Sequence, residues 1–218
     1  SGDEIIQIGT VVQRYADKEP SLRHIITLDT CDPIPNTVVE QYETEEEVII
    51  AWAQFINRLD PDVISGYNVF GFDFSYIWKR AQELDIVDDI KYLFGRVKNL
   101  PSNLEIKKLA SSALGDNTLM YITTPGIVQM DLLKVIQRDH NLVSYKLDFV
   151  AENFINDKIK SVLKTDKKKN TTTLEINGSN TLYPGNFITI DYISKTTSKD
   201  YKEQKFKIVE IDNSKKTI

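Results

Sequence analysis

The 218-residue sequence has one cysteine, Cys31, and two histidines, His24 and His140. A single thiol closes no internal disulfide. Two isolated imidazoles with no cysteine at ligand spacing exclude a Cys/His zinc module, so the fold must stand on its apolar core, and the low thiol count points to a reducing compartment. No apolar run approaches the roughly 18 residues needed to cross a bilayer, and no basic stretch leads into an apolar one, so no membrane partner is expected. Positive charge is also scarce: 27 Lys+Arg face 32 Asp+Glu, a net charge of −5. That balance argues against a uniformly basic nucleic-acid surface. There is no internal repeat. At 41% hydrophobic and 27% charged, the composition excludes disordered and collagenous classes.

The length allows one large domain with a small appendage, since domains run to roughly 100–200 residues. Charge divides along the chain: residues 1 to 150 carry 14 Lys+Arg against 23 Asp+Glu, and residues 151 to 218 carry 13 against 9. The first residue is Ser1, and a strand pattern is under way by Glu4. The sequence therefore reads as a fragment, with a domain over 1–155 and a lysine-rich linker and partial β insertion over 156–218.

Residues 4 to 15 and 23 to 28 are Ile/Val-rich runs separated by a polar turn, the pattern of an antiparallel hairpin. Thr44 with Glu47 forms a capping box, and Val48, Trp52, Phe55, Ile56 and Leu59 recur at helical spacing. This predicts a helix over about 45 to 59, stopped by Asp60-Pro61. DVISGYN, 62 to 68, reads as a buried strand running into a loop, after which Phe74, Ile77, Trp78, Ala81 and Leu84 restart the helical period. Both tryptophans fall on core faces. Residues 89 to 121 show no clear period. GIVQM, 126 to 130, reads as a strand, Asp131 as the cap of the helix after it, and Ser144 as the opening of a further helix. Lysine-rich 156 to 173 reads as an exposed connection. NGSN and YPGN mark turns, and FITIDYI and KFKIVEI alternate as half-buried strands. Helix, strand, loop, helix is an α/β order, and ligands of such sheets bind in loops at the carboxyl ends of strands.

That loop is YNVFGFD, residues 67 to 73. It sets an amide, Asn68, and a carboxylate, Asp73, at the rim of a strand with aromatics between them. A carboxylate there could hold a divalent cation, but a two-ion clamp for phosphodiester hydrolysis needs several carboxylates from different elements. The same residues also serve structure alone, with Asn68 making the turn and Asp73 capping a helix that begins at Phe74.

The stretch DPDVISGYNVFGFDFSYIWKRAQEL, 60 to 84, resembles the second exonuclease motif of family B DNA polymerases. The resemblance continues in PGIVQMDLLKVIQRDHNLVSYKLDFVAENF, 125 to 154, and in GDEIIQIGT, 2 to 10, which is similar to the strand after that family's first motif. SYKLDFVAENF and SSALGD look most like the delta-type polymerases of eukaryotes and large DNA viruses. The resemblance implies an α/β, RNase H-like exonuclease domain, a mixed sheet flanked by helices and lacking its first strand, with a small β-rich insertion. It implies proofreading removal of 3′-terminal nucleotides, with two Mg2+ ions, or Mn2+, in the complete site. It further implies DNA as partner (a single-stranded 3′ end and a primer-template), dNTPs and a sliding clamp for the full-length polymerase, and a nuclear or viral replication compartment. Residue by residue, Asp73 matches the catalytic, metal-binding carboxylate and Asn68 the amide that contacts the terminal nucleotide. Phe70 is the aromatic expected beside that nucleotide, and Phe72 is expected in the core.

The family's Asp-x-Glu first motif would precede Ser1, and its Tyr-x-x-x-Asp third motif would follow Ile218. Asp3-Glu4 and Tyr145-Lys-Leu-Asp148 have the wrong spacing for either. A fragment short of three carboxylates should be a poor enzyme, and loss of a central strand should leave unpaired sheet edges. Two other readings stay open: a non-catalytic polymerase-like DNA-binding subunit and a stand-alone exonuclease. Lys158, Lys160, Lys164 and Lys167 to Lys169 form the one concentrated basic run, fit either for phosphate contact or for simple solvation.

Overall fold

The computed structural model describes residues 2–17, 19–111, 115–178, 182–193, 198–200 and 204–218. The chain divides into two compact units, Ser1–Tyr145 and Lys146–Ile218.

In the first unit, β1 (Gln7–Val12) and β2 (Leu22–Leu28) form the expected antiparallel hairpin, and β3 (Val38–Tyr42) adds to β2 in parallel. Helix α1 spans Glu45–Leu59. Its capping box is complete: the Thr44 hydroxyl accepts from the Glu47 N–H, and the Glu47 carboxylate accepts from the Thr44 N–H. Val48, Ile49, Trp52, Phe55 and Ile56 line its buried face. Strand β4 (Val63–Gly66) follows, then α2 (Asp73–Glu83), which buries Phe74, Ile77, Trp78 and Ala81 against the same core. Trp52 and Trp78 are core residues, and Trp52 packs on Phe94 with ring centroids 5.5 Å apart. A short helix, α3 (Val87–Ile90), leads to β7 (Val128–Asp131) by way of a hairpin, β5 (Leu104–Ser111) with β6 (Gly115–Ile122), in the span where the sequence shows no period. Helix α4 (Leu132–Asp139) closes this part.

Instead of one mixed sheet, the described residues form separate small ladders. β4 pairs in parallel with β7 alone, and among the described residues no backbone bonds join that pair to β1–β2–β3. Strands share a sheet only where their edges lie within hydrogen-bonding reach of about 4.8 Å. The entry to β4 is fixed by Arg96, which donates to the carboxylates of Asp60 and Asp62 and to the Asp60 carbonyl, while its own N–H donates to the Pro125 carbonyl.

A buried ion pair ties the helices to the N-terminal segment. Arg80 of α2 donates to both oxygens of Glu45 of α1 and to Glu83, and Glu45 also accepts the Ile5 N–H at 2.9 Å. Arg80 reaches the Gly2 carbonyl as well, and the Tyr76 hydroxyl donates to the Asp3 carbonyl at 2.6 Å. The hydrogen bonds from Arg80 hold the Glu45 carboxyl below the usual glutamate range, against the opposing pull of burial. Breaking a buried pair strands the other charge, so Arg80→Met should cost about 3–5 kcal/mol in urea unfolding. The double variant Arg80→Met/Glu45→Gln, which leaves no buried charge, should recover at least half of that loss. Equal losses in both would contradict this account.

In the second unit, α5 (Leu147–Phe154) starts three residues after Ser144, where the sequence suggested a start; Lys146 is its N-cap and makes no side-chain cap bond. This helix was expected to end the first domain near residue 155, and its buried residue is Val150. The expected lysine-rich connection is instead a hairpin, β8 (Ile159–Asp166) with β9 (Thr171–Ile176). Its turn is made by the Asp166 carboxylate, which accepts the N–H groups of Lys168 and Lys169, and by Asn170 at φ 51°. Residues 216 and 218 bond along the other edge of β9. FITIDYI divides into β10 (Phe187–Ile188) and β11 (Asp191–Ile193), which pair with β13 (Phe206–Lys207) and β12 (Ser198–Asp200) respectively. YPGN is a turn, with Gly185 at φ +97°. Part of NGSN lies outside the described residues.

Candidate active site

Pairing of β4 with β7 sets Gly66 opposite Asp131, two residues before Asn68. This register brings Asp131, 2% exposed, beneath the 67–73 loop. Its carboxylate accepts the Asn68 N–H at 2.8 Å, the Phe70 N–H at 3.0 Å and the Leu133 N–H at 2.9 Å. The third bond is the helix cap expected from sequence. The first two clamp the loop. From the other side, the Met120 N–H of β6 donates to the Phe70 carbonyl at 2.8 Å.

Asn68 turns the chain at φ 61°, a left-handed value that Asn tolerates better than most residues, and its carbonyl accepts the N–H groups of Gly71 and Phe72. Its side-chain amide lies over Gly71, where any Cβ would overlap the Asn68 Oδ1. Glycine at 71 thus leaves room for the amide. The turn separates the two aromatics. Phe70 is half-buried and packs on Phe74 and Tyr121, at centroid distances of 6.1 and 5.7 Å. Phe72 is 57% exposed and stacks on Tyr76 with centroids 5.2 Å apart. Against the expectation that Phe72 lies in the core, its ring is the more open of the two. A left-handed residue at 68 swings the following side chains away from the alternation an extended chain would give.

Asp73 is the first residue of α2, and Phe72 is its N-cap, with no side-chain cap bond. Asp73 is therefore not the cap of a helix beginning at Phe74. Its carboxylate is exposed and bonds to its own backbone N–H. Desolvation by the surrounding loop raises its pKa above the ordinary aspartate value. The charge of Asp131 adds to the rise, and the N–H bond opposes it.

A carboxyl that holds its proton more tightly folded than unfolded costs stability wherever it is ionised, and that cost is relieved as pH falls through the folded value. Asp73→Asn should therefore melt above the unsubstituted chain at neutral pH. The gap should close on acidification through a range above the usual carboxylate pKa of about 4. A gap that stays constant down to about pH 3 would contradict this.

The described residues include no group of three His, Cys, Asp or Glu side chains that could hold a metal ion. Asp73 offers a single accessible carboxylate, and Asp131 is committed to backbone N–H groups, so these residues alone do not make a metal centre. His24 is 3% exposed, stacked on Phe55 with centroids 4.2 Å apart, and its Nε2 lies 3.1 Å from Glu40. With Arg58 and neighbouring apolar residues it lines a cavity that shares no residue with the loop. His140 accepts the Tyr145 hydroxyl on its carbonyl, and the Cys31 thiol donates to the Asp32 carbonyl. No described helix is long and apolar enough to cross a membrane.

The clamp by Asp131 and the exposure of Phe72 are the two features that sequence reading misses. The first had a signal, an Asp at the end of the neighbouring strand. The second had none.

Comparison with known proteins supports a single family. A family model described as DNA polymerase family B, exonuclease domain, matches residues 1–150. The "DNA polymerase" of Pyramimonas orientalis virus is 44% identical over 192 residues, covering 87% of this chain and 15% of that protein. "DNA polymerase delta catalytic subunit" of Mesocricetus auratus is 41% identical, and that of Dictyostelium discoideum 38%, each over 160 residues, 73% of this chain and 14% of the relative. The chain thus spans about one seventh of the length of these relatives. The chain belongs to the exonuclease-domain family of the family B DNA polymerases.

Proposed function

We propose that this chain is the greater part of the proofreading 3′-to-5′ exonuclease domain of a family B DNA polymerase, RNase H-like over residues 1–155, with a β insertion over 156–218. The parent copies DNA from dNTPs on a primer-template, works with a sliding clamp, and acts in the nucleus or a viral replication compartment.

The observation that carries the reading is the exposed Asp73 carboxylate on the first turn of α2, in a loop whose backbone is held by buried Asp131. In the complete site the reaction is hydrolysis of the terminal phosphodiester. Bound Mg2+, or Mn2+, would supply charge stabilisation and an activated water, and Asp73 is the ligand this loop can give. The Asn68 side-chain amide would contact the terminal nucleotide. The open ring of Phe72, more than the packed ring of Phe70, can stack on its base. The clamp keeps these groups in one arrangement, which matters because misplacement by about 1 Å can cost on the order of 10²-fold in rate. The test is Asp73→Ala in the complete polymerase, measured for excision and for primer extension.

A further inference from the structure

The hairpin of β8 and β9 lies outside the loop just described, and its chemistry is unlike that of the rest of the chain. Residues 157 to 176 carry six lysines and three acids in a protein whose net charge is −5. All six lysines, Lys158, Lys160, Lys164, Lys167, Lys168 and Lys169, are exposed. None forms an ion pair among the described residues, whereas Lys91 is paired with Asp88 and Lys215 with Asp212.

The three acids are engaged otherwise. Asp157 accepts the N–H groups of Lys158 and Gly178, Asp166 accepts those of Lys168 and Lys169, and Glu175 accepts the Ser161 hydroxyl. Two register irregularities, between Ile159 and Ser161 and between Val162 and Lys164, insert Lys160 and Leu163 into β8 as bulge residues. Bulges re-aim side chains. Among the described residues β8 is also the free edge of the ladder, because β9 is bonded on its other side by residues 216 and 218. One or two lysines suffice to keep such an edge from pairing with another strand. Six that repel one another along about 26 Å of ribbon and its turn call for a polyanion.

We propose that this hairpin binds the phosphate backbone of duplex DNA, independently of base sequence. The proposal rests on the reading that the parent protein handles DNA. Duplex is favoured over single strand because residues 157 to 176 contain no Phe, Tyr, Trp or His on which an unpaired base could stack. A two-stranded ribbon also fits the width of a duplex groove, and here its lysines lie along one strand and the turn.

The test uses the 218-residue chain in EDTA, with a blunt 20-base-pair duplex and a 20-nucleotide single strand, each blocked at its 3′ ends, over a range of salt. The comparison variant carries Lys158→Gln, Lys160→Gln, Lys164→Gln, Lys167→Gln, Lys168→Gln and Lys169→Gln. Each lost phosphate contact should flatten the slope of log K against log salt by about 0.9, so loss of all six should take about 5 from the slope and roughly 10²-fold or more from duplex affinity at 0.1 M salt. Lys215→Gln should change neither.

Unchanged duplex binding in the six-lysine variant overturns the proposal. So does absence of duplex binding by the unsubstituted chain. Equal or tighter binding to the single strand, to polyglutamate or to anionic phosphatidylserine vesicles overturns it in favour of that partner. Because catalysis is absent from this assay, its failure is distinct from a failure of excision by the complete polymerase.

Discussion

Asp131→Ala should destabilise the chain by about 3–7 kcal/mol and lower excision by the complete polymerase while sparing primer extension. The carboxylate is buried and accepts three backbone N–H groups from two segments far apart in sequence. Removing it deletes a helix cap, worth about 1 kcal/mol, and leaves the Asn68 and Phe70 donors without an acceptor, at about 1–3 kcal/mol each. Set against a typical total stability of about 5–15 kcal/mol, the loss is large. Asp131→Asn is the finer probe. It keeps one acceptor oxygen but turns an NH2 group toward an N–H donor, so it should cost less than Ala yet still loosen the loop. Thermal melts of the chain with excision assays on the complete polymerase check both effects. A near-neutral Asp131→Ala would show that the loop holds its shape without the clamp.

Asp73→Ala should behave in the opposite way, with little loss of stability and a large loss of activity. Its side chain is exposed, caps nothing, and is held off its ordinary pKa first by desolvation and then by the charge of Asp131. A group that is a cost to the fold when ionised is one the fold does not need. If Asp73 acts on the transition state of phosphodiester hydrolysis, its loss should lower excision by on the order of 10²–10³-fold, as removal of a single charge-stabilising group does elsewhere. Binding of DNA in the absence of divalent ions should change little. The two substitutions therefore separate the residue that shapes the loop from the residue that uses it.

The legible parts of the fold were those with a one-sided pattern. Helix α1 was readable at both ends because Thr44 and Glu47 cap it and its apolar residues recur on one face. The β1–β2 hairpin was readable from its Ile/Val runs, and the 67–73 loop from its place after a short apolar strand. The two later hairpins were not. On β8 only Ser161 and Asp166 are even half-buried, and bulges at 160 and 163 shift the period, so no alternation survives to be read. On β5 every lysine-flanked apolar residue from Ile106 to Leu109 stays exposed. A strand with no buried face leaves no hydrophobic signature.

At the site, the place of Asn68 and Asp73 in the loop between β4 and α2 was legible from residue order, but the geometry was not. The choice between Phe70 and Phe72 turns on one left-handed backbone angle at Asn68. The clamp turns on the β4–β7 register, which joins residues 65 apart in sequence. Both are set by tertiary pairing, and a local pattern does not encode them.

The most direct measurement is the ratio of two rates in the complete polymerase, with and without Asp73→Ala. One is removal of a mispaired 3′-terminal nucleotide from a primer-template. The other is extension of a matched primer with dNTPs. Excision reduced by on the order of 10²-fold or more with extension within about twofold is the predicted result. Excision unchanged, or both rates lost together, would contradict the assignment of Asp73 as the carboxylate that carries the chemistry of this domain.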